Sequence, residues 1–158
     1  QRRWELVALT DKHIILDVAK FVKPYYCRIT EPKTPQQEMF KIAYPRQRTM
    51  IEESACVILP YFKQKYTFDN DKNGYGLMDY GAAWALVENM LLAATAEGLG
   101  SVVHIPVKKE PEQIKAFMKI PESYYLPAMV IFGYPAKDAL LPSQVKATVE
   151  NKVHWNKW

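Results

Sequence analysis

Apolar positions recur along the chain in two rhythms, and each predicts a different kind of element. Trp4-Glu-Leu-Val-Ala-Leu-Thr10 is short and rich in apolar residues, and Asp11-Lys12 follows it, so it predicts a strand. From 12 to 22, Ile14, Ile15, Val18, Ala19 and Val22 fall at helical spacing, and Pro24 ends that helix. Ala55-Cys-Val-Ile-Leu-Pro60 predicts a buried strand stopped by its proline. Ser101 to Ile105 is β-branched and short, a further strand before Pro106. Glu110 to Met118 fits a short helix with Pro111 near its first turn. Ala128 to Phe132 predicts a strand ending at Gly133-Tyr-Pro135. Strands and helices alternate around what reads as one sheet, which is an α+β or α/β pattern.

The stretch GLMDYGAAWALVENMLLAATAEGLGSVVHIP, 76 to 106, obeys neither rhythm. Residues 80 to 97 predict a long helix with Asp79 as its N-cap and Gly98 as its C′ residue. Its apolar positions run nearly all round, so it should be buried on several sides. A small domain can do that by packing the helix against a second copy of itself, or by making it the central core helix of a monomer. Glu88, Asn89 and Glu97 argue against a membrane span.

Three segments are less regular. Residues 24 to 50 hold Pro24, Pro32, Pro35 and Pro45 among polar residues, a long irregular or partly helical excursion of the kind that often carries function. Residues 68 to 76 read as a polar surface turn, lacking the acid at the twelfth position of a calcium loop. The tail from Pro142 closes on Val153-His-Trp-Asn-Lys-Trp158, aromatic enough to predict docking.

Composition narrows the function classes. The 158 residues are 49% hydrophobic and 24% charged, enough for one domain with a real core. The net charge of +4 is spread over scattered pairs such as Lys108-Lys109, with no stripe for nucleic acid. It can favour small anions such as phosphates or carboxylates. Cys27 and Cys56 form no disulfide framework and no CxxC, and no metal-ligand spacing with histidine occurs, so a reducing, cytoplasmic setting without a metal is expected. No GxSxG, HExxH or P-loop appears, and Gly-Leu-Gly-Ser lacks the third glycine of a dinucleotide fingerprint. With no assembled acid, base and nucleophile, the chain is either a binding module or an enzyme whose cofactor carries the chemistry.

Several motifs in order carry a resemblance. DYGAAWALVENMLLAATAEGLGS resembles the central helix and following turn of the nitroreductase family of FMN-dependent oxidoreductases. Trp4 to Asp11 is similar to that family's segment after Gln-Pro-Trp, Ile120 to Pro135 to its segment ending in Gly-Tyr-Pro, and Val153 to Trp158 to its C-terminus. The similarity leaves out residues 20 to 55. It implies an α+β nitroreductase-like fold with a central mixed or antiparallel sheet flanked by helices, and the long helix at a homodimer interface. It also implies FMN, NADH or NADPH as reductant, and hydride passed through flavin N5 to a nitroaromatic, quinone or other electrophilic small molecule. The family also suggests other outcomes: a non-catalytic flavin-binding or structural homodimer, or a branch doing reductive dehalogenation or flavin cleavage. Nucleic acid and membrane partners are not implied.

Carried over by position, Val103, His104, Ile105 and Pro106 would lie beside the isoalloxazine, with the N–H near Ile105 facing N5. Gly100 and Ser101 would shape the turn. Lys146 stands where the family often has a basic residue for the FMN phosphate, and is otherwise a solvated tail lysine. The family begins with an Arg-x-Ser-x-Arg helix and a Pro-Ser-x-x-Asn turn. This chain starts at Gln1-Arg-Arg-Trp4, at the end of that region. The expectation is one nitroreductase-like domain over 1–158 without the N-terminal FMN-binding segment. Arg2 and Arg3 would stand where pyrimidine-facing residues belong, or lie exposed.

Overall fold

In a computed structural model of the chain, residues 3–66, 71–139, 146 and 148–158 are described. The order is β1 (Trp4–Leu9), α1 (Lys12–Ala19), α2 (Pro35–Ala43), α3 (Gln47–Glu53), β2 (Cys56–Lys63), α4 (Tyr75–Ala96), β3 (Gly100–His104), α5 (Glu110–Phe117), β4 (Tyr124–Tyr125) and β5 (Met129–Gly133). The described strands form a sheet in the order β1-β2-β5-β3, with β4 also on β2, and every described pairing is antiparallel. This is the α+β sheet flanked by helices that the sequence predicts.

The two faces of the sheet are covered differently. Val57, Leu59 and Tyr61 of β2, with Met129 and Ile131 of β5, pack against Ile15, Val18 and Ala19 of α1, Ile51 of α3 and Ile114 of α5. The alternate residue Val130 of β5 packs with Ala128 and Val87 of α4, joined by Trp84, Val103 and Phe132. Alternation along each strand assigns the two sets to opposite faces. One face thus carries α1, α3 and α5, and the other carries α4.

Three expectations are corrected. Pro60 does not stop β2, which continues to Lys63. The Lys63 N–H donates to Arg3 of the chain entering β1, and the Gln64 N–H to Ser123 on the other side. By alternation position 60 faces away from β1, into the gap between the β5 pairing, which ends at Ile58, and the β4 pairing, which begins at Phe62. A missing N–H there costs no ladder bond. Second, α4 starts at Tyr75 rather than 80, and Asp79 lies inside it. Gly74 (φ +74°) is the N-cap, and the Asp71 carboxylate accepts the Tyr75 and Gly76 N–H groups at 2.9 and 2.6 Å. Residues 71–74 of the polar loop are therefore the helix start. Gly76 is required there, because a Cβ would sit 2.9 Å from the Tyr66 carbonyl. Third, the tail is not docked on this chain: Trp155 and Trp158 are exposed, and His154 stacks on Trp158.

The C-terminal end of α4 is as expected. Gly98 (φ +71°) donates to Thr95 and Leu99 donates to Ala94, the paired bonds of a Schellman ending. Gly98, not Gly100, makes the turn; Gly100 is the first residue of β3.

The candidate active site at the end of β3

β3 is the outer strand of the described sheet, and its register decides where its backbone points. Even-numbered β2 residues face β5, so the opposed pairs Ile58–Val130 and Cys56–Phe132 are hydrogen-bonded. Val130 and Phe132 then turn toward β2, while Met129, Ile131 and Gly133 turn toward His104, Val102 and Gly100. The N–H groups of Val103 and, one residue past the strand, Ile105 consequently project from the free edge.

Beside that edge lies a cavity of about 310 Å³. Its walls are Val103 to Ile105 and Val107 on one side, and Tyr25, Phe40, Ala43, Tyr44 and Gln47 on the other. The 24–50 excursion supplies this second wall, with Tyr25 from its irregular first part and the rest from its helical second part. Thr34 caps α2 by accepting the Gln37 N–H at 3.2 Å, Pro35 occupies its first turn, and Gln37 accepts the Lys33 N–H in return at 2.7 Å. The end of α2 and start of α3 thus present Phe40, Tyr44 and Gln47 to the end of β3.

Below the cavity floor is a buried polar network. The His104 ring is 2% exposed, with Nδ1 2.7 Å from Gln47 Oε1 and Nε2 3.1 Å from Glu110 Oε2. Glu110, at the start of α5, accepts from the Tyr25 hydroxyl at 2.7 Å, the Val107 N–H at 3.0 Å and the Lys23 N–H at 3.2 Å. Burial pushes the Glu110 carboxyl upward, but the Tyr25, Val107, Lys23 and His104 hydrogen bonds outweigh it and hold Glu110 below the usual carboxylate range. Burial lowers the His104 pKa, and Glu110 opposes that without reversing it. A neutral ring has one N–H; placed on Nε2 it donates to the carboxylate, the stronger acceptor, and Nδ1 then only accepts, which requires the Gln47 amide to turn its NH2 rather than its oxygen to the ring. Burial and the same carboxylate raise the Tyr25 phenol well above its ordinary value. The network ties the Val107 turn to the root of the excursion, so both cavity walls hang on Glu110.

The structure brings together four of the residues singled out in the sequence: Val103, His104, Ile105 and Pro106. His104 contributes to the wall while its imidazole is committed to Gln47 and Glu110, and Pro106 is buried. Gly100 and Ser101 lie at the other end of β3, roughly 10–13 Å away at 3.3 Å per residue. Arg3 sits before β1, three strands across the sheet, with Nη1 3.8 Å from Asp79. Lys146 is exposed. Arg2 lies outside the described residues. Tyr25, Gln47 and Glu110 carry no signal in the sequence as site residues: an acid beside a proline in a first helical turn reads as a favourable helix start. Among the described residues no cluster of His, Cys, Asp or Glu is placed to hold a metal, and no helix is long and apolar enough to cross a membrane.

Comparisons with known proteins agree with this architecture. A segment of 75 residues is 35% identical to an NADH dehydrogenase of Thermus thermophilus, covering 48% of this chain and 35% of that protein, so the match spans about a third of the relative's length. Among solved structures, an iodotyrosine deiodinase bound to FMN and 3-iodo-L-tyrosine superposes with a TM-score of 0.71 at 15% identity, over 99% of this chain and 77% of that one. An FMN-dependent nitroreductase of Clostridium difficile R20291 superposes at 0.66 and 17% identity, over 99% and 77%. At such identities the structures speak for the fold. The family model described as the nitroreductase family matches residues 2–134, most of the sequence including both walls of the cavity, and the chain belongs to that family.

Proposed function

We propose that this chain acts as an FMN-dependent oxidoreductase, taking hydride from NADH or NADPH and delivering it to an electrophilic small molecule such as a nitroaromatic, a quinone or an activated alkene. The observation that carries the reading is the outward Ile105 N–H at the mouth of an aromatic and aliphatic cavity, in a member of the nitroreductase family. The names of its relatives, an NADH dehydrogenase and FMN-linked proteins, point the same way.

The residues present suit a flavin. A flat heteroaromatic ring needs apolar walls and a few fixed donors, and the cavity offers Phe40, Tyr44 and Val103 with an edge N–H that no ladder partner among the described residues uses. When bound, FMN supplies two-electron hydride acceptance and donation. Ile105 would hold the ring's N5 edge through its backbone donor, Val103 would flank it, and Lys146 would provide a point charge for the phosphate, while Pro106 is buried behind the cavity wall. No side chain here has to act as an acid or base. The His104–Glu110 network fixes the turn that carries the donor. Arg3, Gly100 and Ser101 have no role in this arrangement within one chain.

A homodimer through the outer face of α4 is part of the proposal. Met78, Gly81, Ala85, Asn89, Leu92 and Ala96 are exposed and fall at intervals of three or four along that helix. An uncovered apolar stripe of this length on a 22-residue helix is what a second copy would bury. The exposed aromatic tail is a second apolar surface left open.

The test is direct. The purified protein should show flavin absorbance, and NADH should bleach it before a quinone restores it. Ile105→Pro should fold normally, since residue 105 is half exposed and outside the ladder. It should nevertheless lose quinone reduction by about a hundredfold, the usual effect of deleting one preorganised donor. Full activity in Ile105→Pro would refute the assigned donor, and a protein that neither retains nor takes up FMN would refute the whole reading.

A further inference from the structure

A second and larger cleft opens on the other side of the Tyr25–Val107 ridge. Its volume is about 580 Å³, and it lies between the Lys23–Arg28 segment and the Val107–Gln113 turn. Tyr25 and Val107 line both this cleft and the cavity beside Ile105. Four cations line it, Lys23, Arg28, Lys108 and Lys109, all exposed. Among the described residues none of the four is in an ion pair. The only carboxylate lining the cleft, Glu110, is buried and turned inward onto Tyr25, Val107, Lys23 and His104.

Two further features bear on what such a cleft would take. Lys108 has φ +58°, a conformation that asparagine or glycine adopts more readily, and the Val107–Glu110 bonds in both directions hold it there. A lysine kept in that conformation sets its charge at the cleft rather than along the surface of α5. Tyr26 lines the same cleft and is 87% exposed. An aromatic ring left open beside four cations matches a ligand with both phosphate charge and a flat base.

We propose that this cleft binds the pyrophosphate and base of a nucleotide, with Lys23, Arg28, Lys108 and Lys109 facing the phosphates and Tyr26 stacking on the base. Resting on the function proposed above, that nucleotide is the dinucleotide reductant, whose nicotinamide end would cross the Tyr25–Val107 ridge into the neighbouring cavity. The cleft would then determine affinity for the reductant, and the Ile105 cavity would house the reaction.

Binding can be measured apart from turnover, by titrating ADP-ribose and inorganic pyrophosphate into the protein calorimetrically at low and high salt. ADP-ribose should bind more tightly than pyrophosphate, and salt should weaken both, as it does any exposed phosphate contact. Lys108→Glu and, separately, Arg28→Glu should each weaken both ligands about tenfold or more, since attraction to a phosphate becomes repulsion. Lys137→Glu, the same charge change at an exposed residue outside the cleft, should not. Tyr26→Ala should bring ADP-ribose down toward the affinity of pyrophosphate and leave pyrophosphate unchanged. Equal ADP-ribose affinity in Lys108→Glu, Arg28→Glu and Lys137→Glu would overturn the site. Equal binding of the two ligands, indifferent to Tyr26, would overturn its assignment to a nucleotide. Tight ADP-ribose binding without NADH oxidation would remove the oxidoreductase reading and leave the site standing. NADH oxidation with no cleft-dependent binding would do the reverse.

Discussion

Glu110 is the residue on which the most local structure depends. Its carboxylate meets two donors from the distant Lys23–Tyr25 segment and the nearby Val107 N–H, as well as the buried His104 ring. Replacement by alanine leaves the Val107 and Lys23 N–H groups and the Tyr25 hydroxyl without their acceptor, so Glu110→Ala should destabilise the chain by about 3 kcal/mol or more in urea unfolding at pH 7. The same network makes stability depend on pH. Burial holds the folded His104 pKa below its unfolded value near 6.5, so the unfolded chain binds the extra proton first and stability falls as pH drops below about 6.5. Glu110 is also depressed when folded, so its contribution is complete above its ordinary value of 4.5 and is lost as pH falls through the lower folded value. Denaturation midpoints measured from pH 8 to 3 should decline in two stages, and Glu110→Gln should remove the lower one. A midpoint that rises on acidification from pH 7 to 5 would contradict the neutral His104.

At the scale of the element, α4 shows how a helix of nearly uniform composition is given its ends. Asp71 fixes the start by accepting two of the first free N–H groups, and Gly98 fixes the stop by adopting a left-handed conformation. Asp71→Ala should therefore cost about 1 kcal/mol, the usual worth of a capping carboxylate, and lower Tm by about 2–4 °C in a chain of this size. Asp79→Ala removes only a 3.8 Å surface contact with Arg3 and should change Tm by less than Asp71→Ala. A thermal scan of the two variants side by side tests the assignment. The same reasoning applies to the excursion between α1 and β2: a side-chain-capped α2, followed directly by the short α3, lets a proline-rich segment hold a wall for the cavity.

At the scale of the whole molecule, α4 has two unlike faces. Ala83, Val87 and Ala94 are buried against the sheet, whereas Ala85 and Leu92 are open. Glutamate at the two kinds of position should act differently. Ala85→Glu should leave the subunit folded and shift the protein from dimer to monomer in sedimentation, because it sets a charge in the proposed interface. Ala94→Glu should instead destabilise the subunit itself, since it buries an unpaired carboxylate by about the several-kcal/mol cost of such a charge. A monomeric wild-type protein would defeat the dimer proposal.

Much of the fold was legible from local pattern. Short apolar or β-branched runs near 4–9, 100–104 and 129–133, helical spacing at 12–19, and Gly98 after the long helix act through neighbours in sequence, and each element lies close to where its pattern places it. The order of motifs along the chain was also enough to identify the family. Other features depended on partners distant in sequence. Pro60 sits inside a strand because the flank it faces has no ladder partner at that height. The Ile105 N–H points away from β5 because β3 is the outer strand among the described residues, which follows from pairing order and not from composition. The tail aromatics are exposed because the core of this chain closes without them. Glu110 is buried because Lys23, Tyr25 and His104 converge on it, and residues 80 or more apart in sequence leave no local mark of such a meeting. Patterns short enough to act within one element were determined by the sequence alone. Which backbone donors stay free, and which charges are buried or left facing a cleft, was decided only when the elements packed, because hydrogen bonds and burial depend on distance in space.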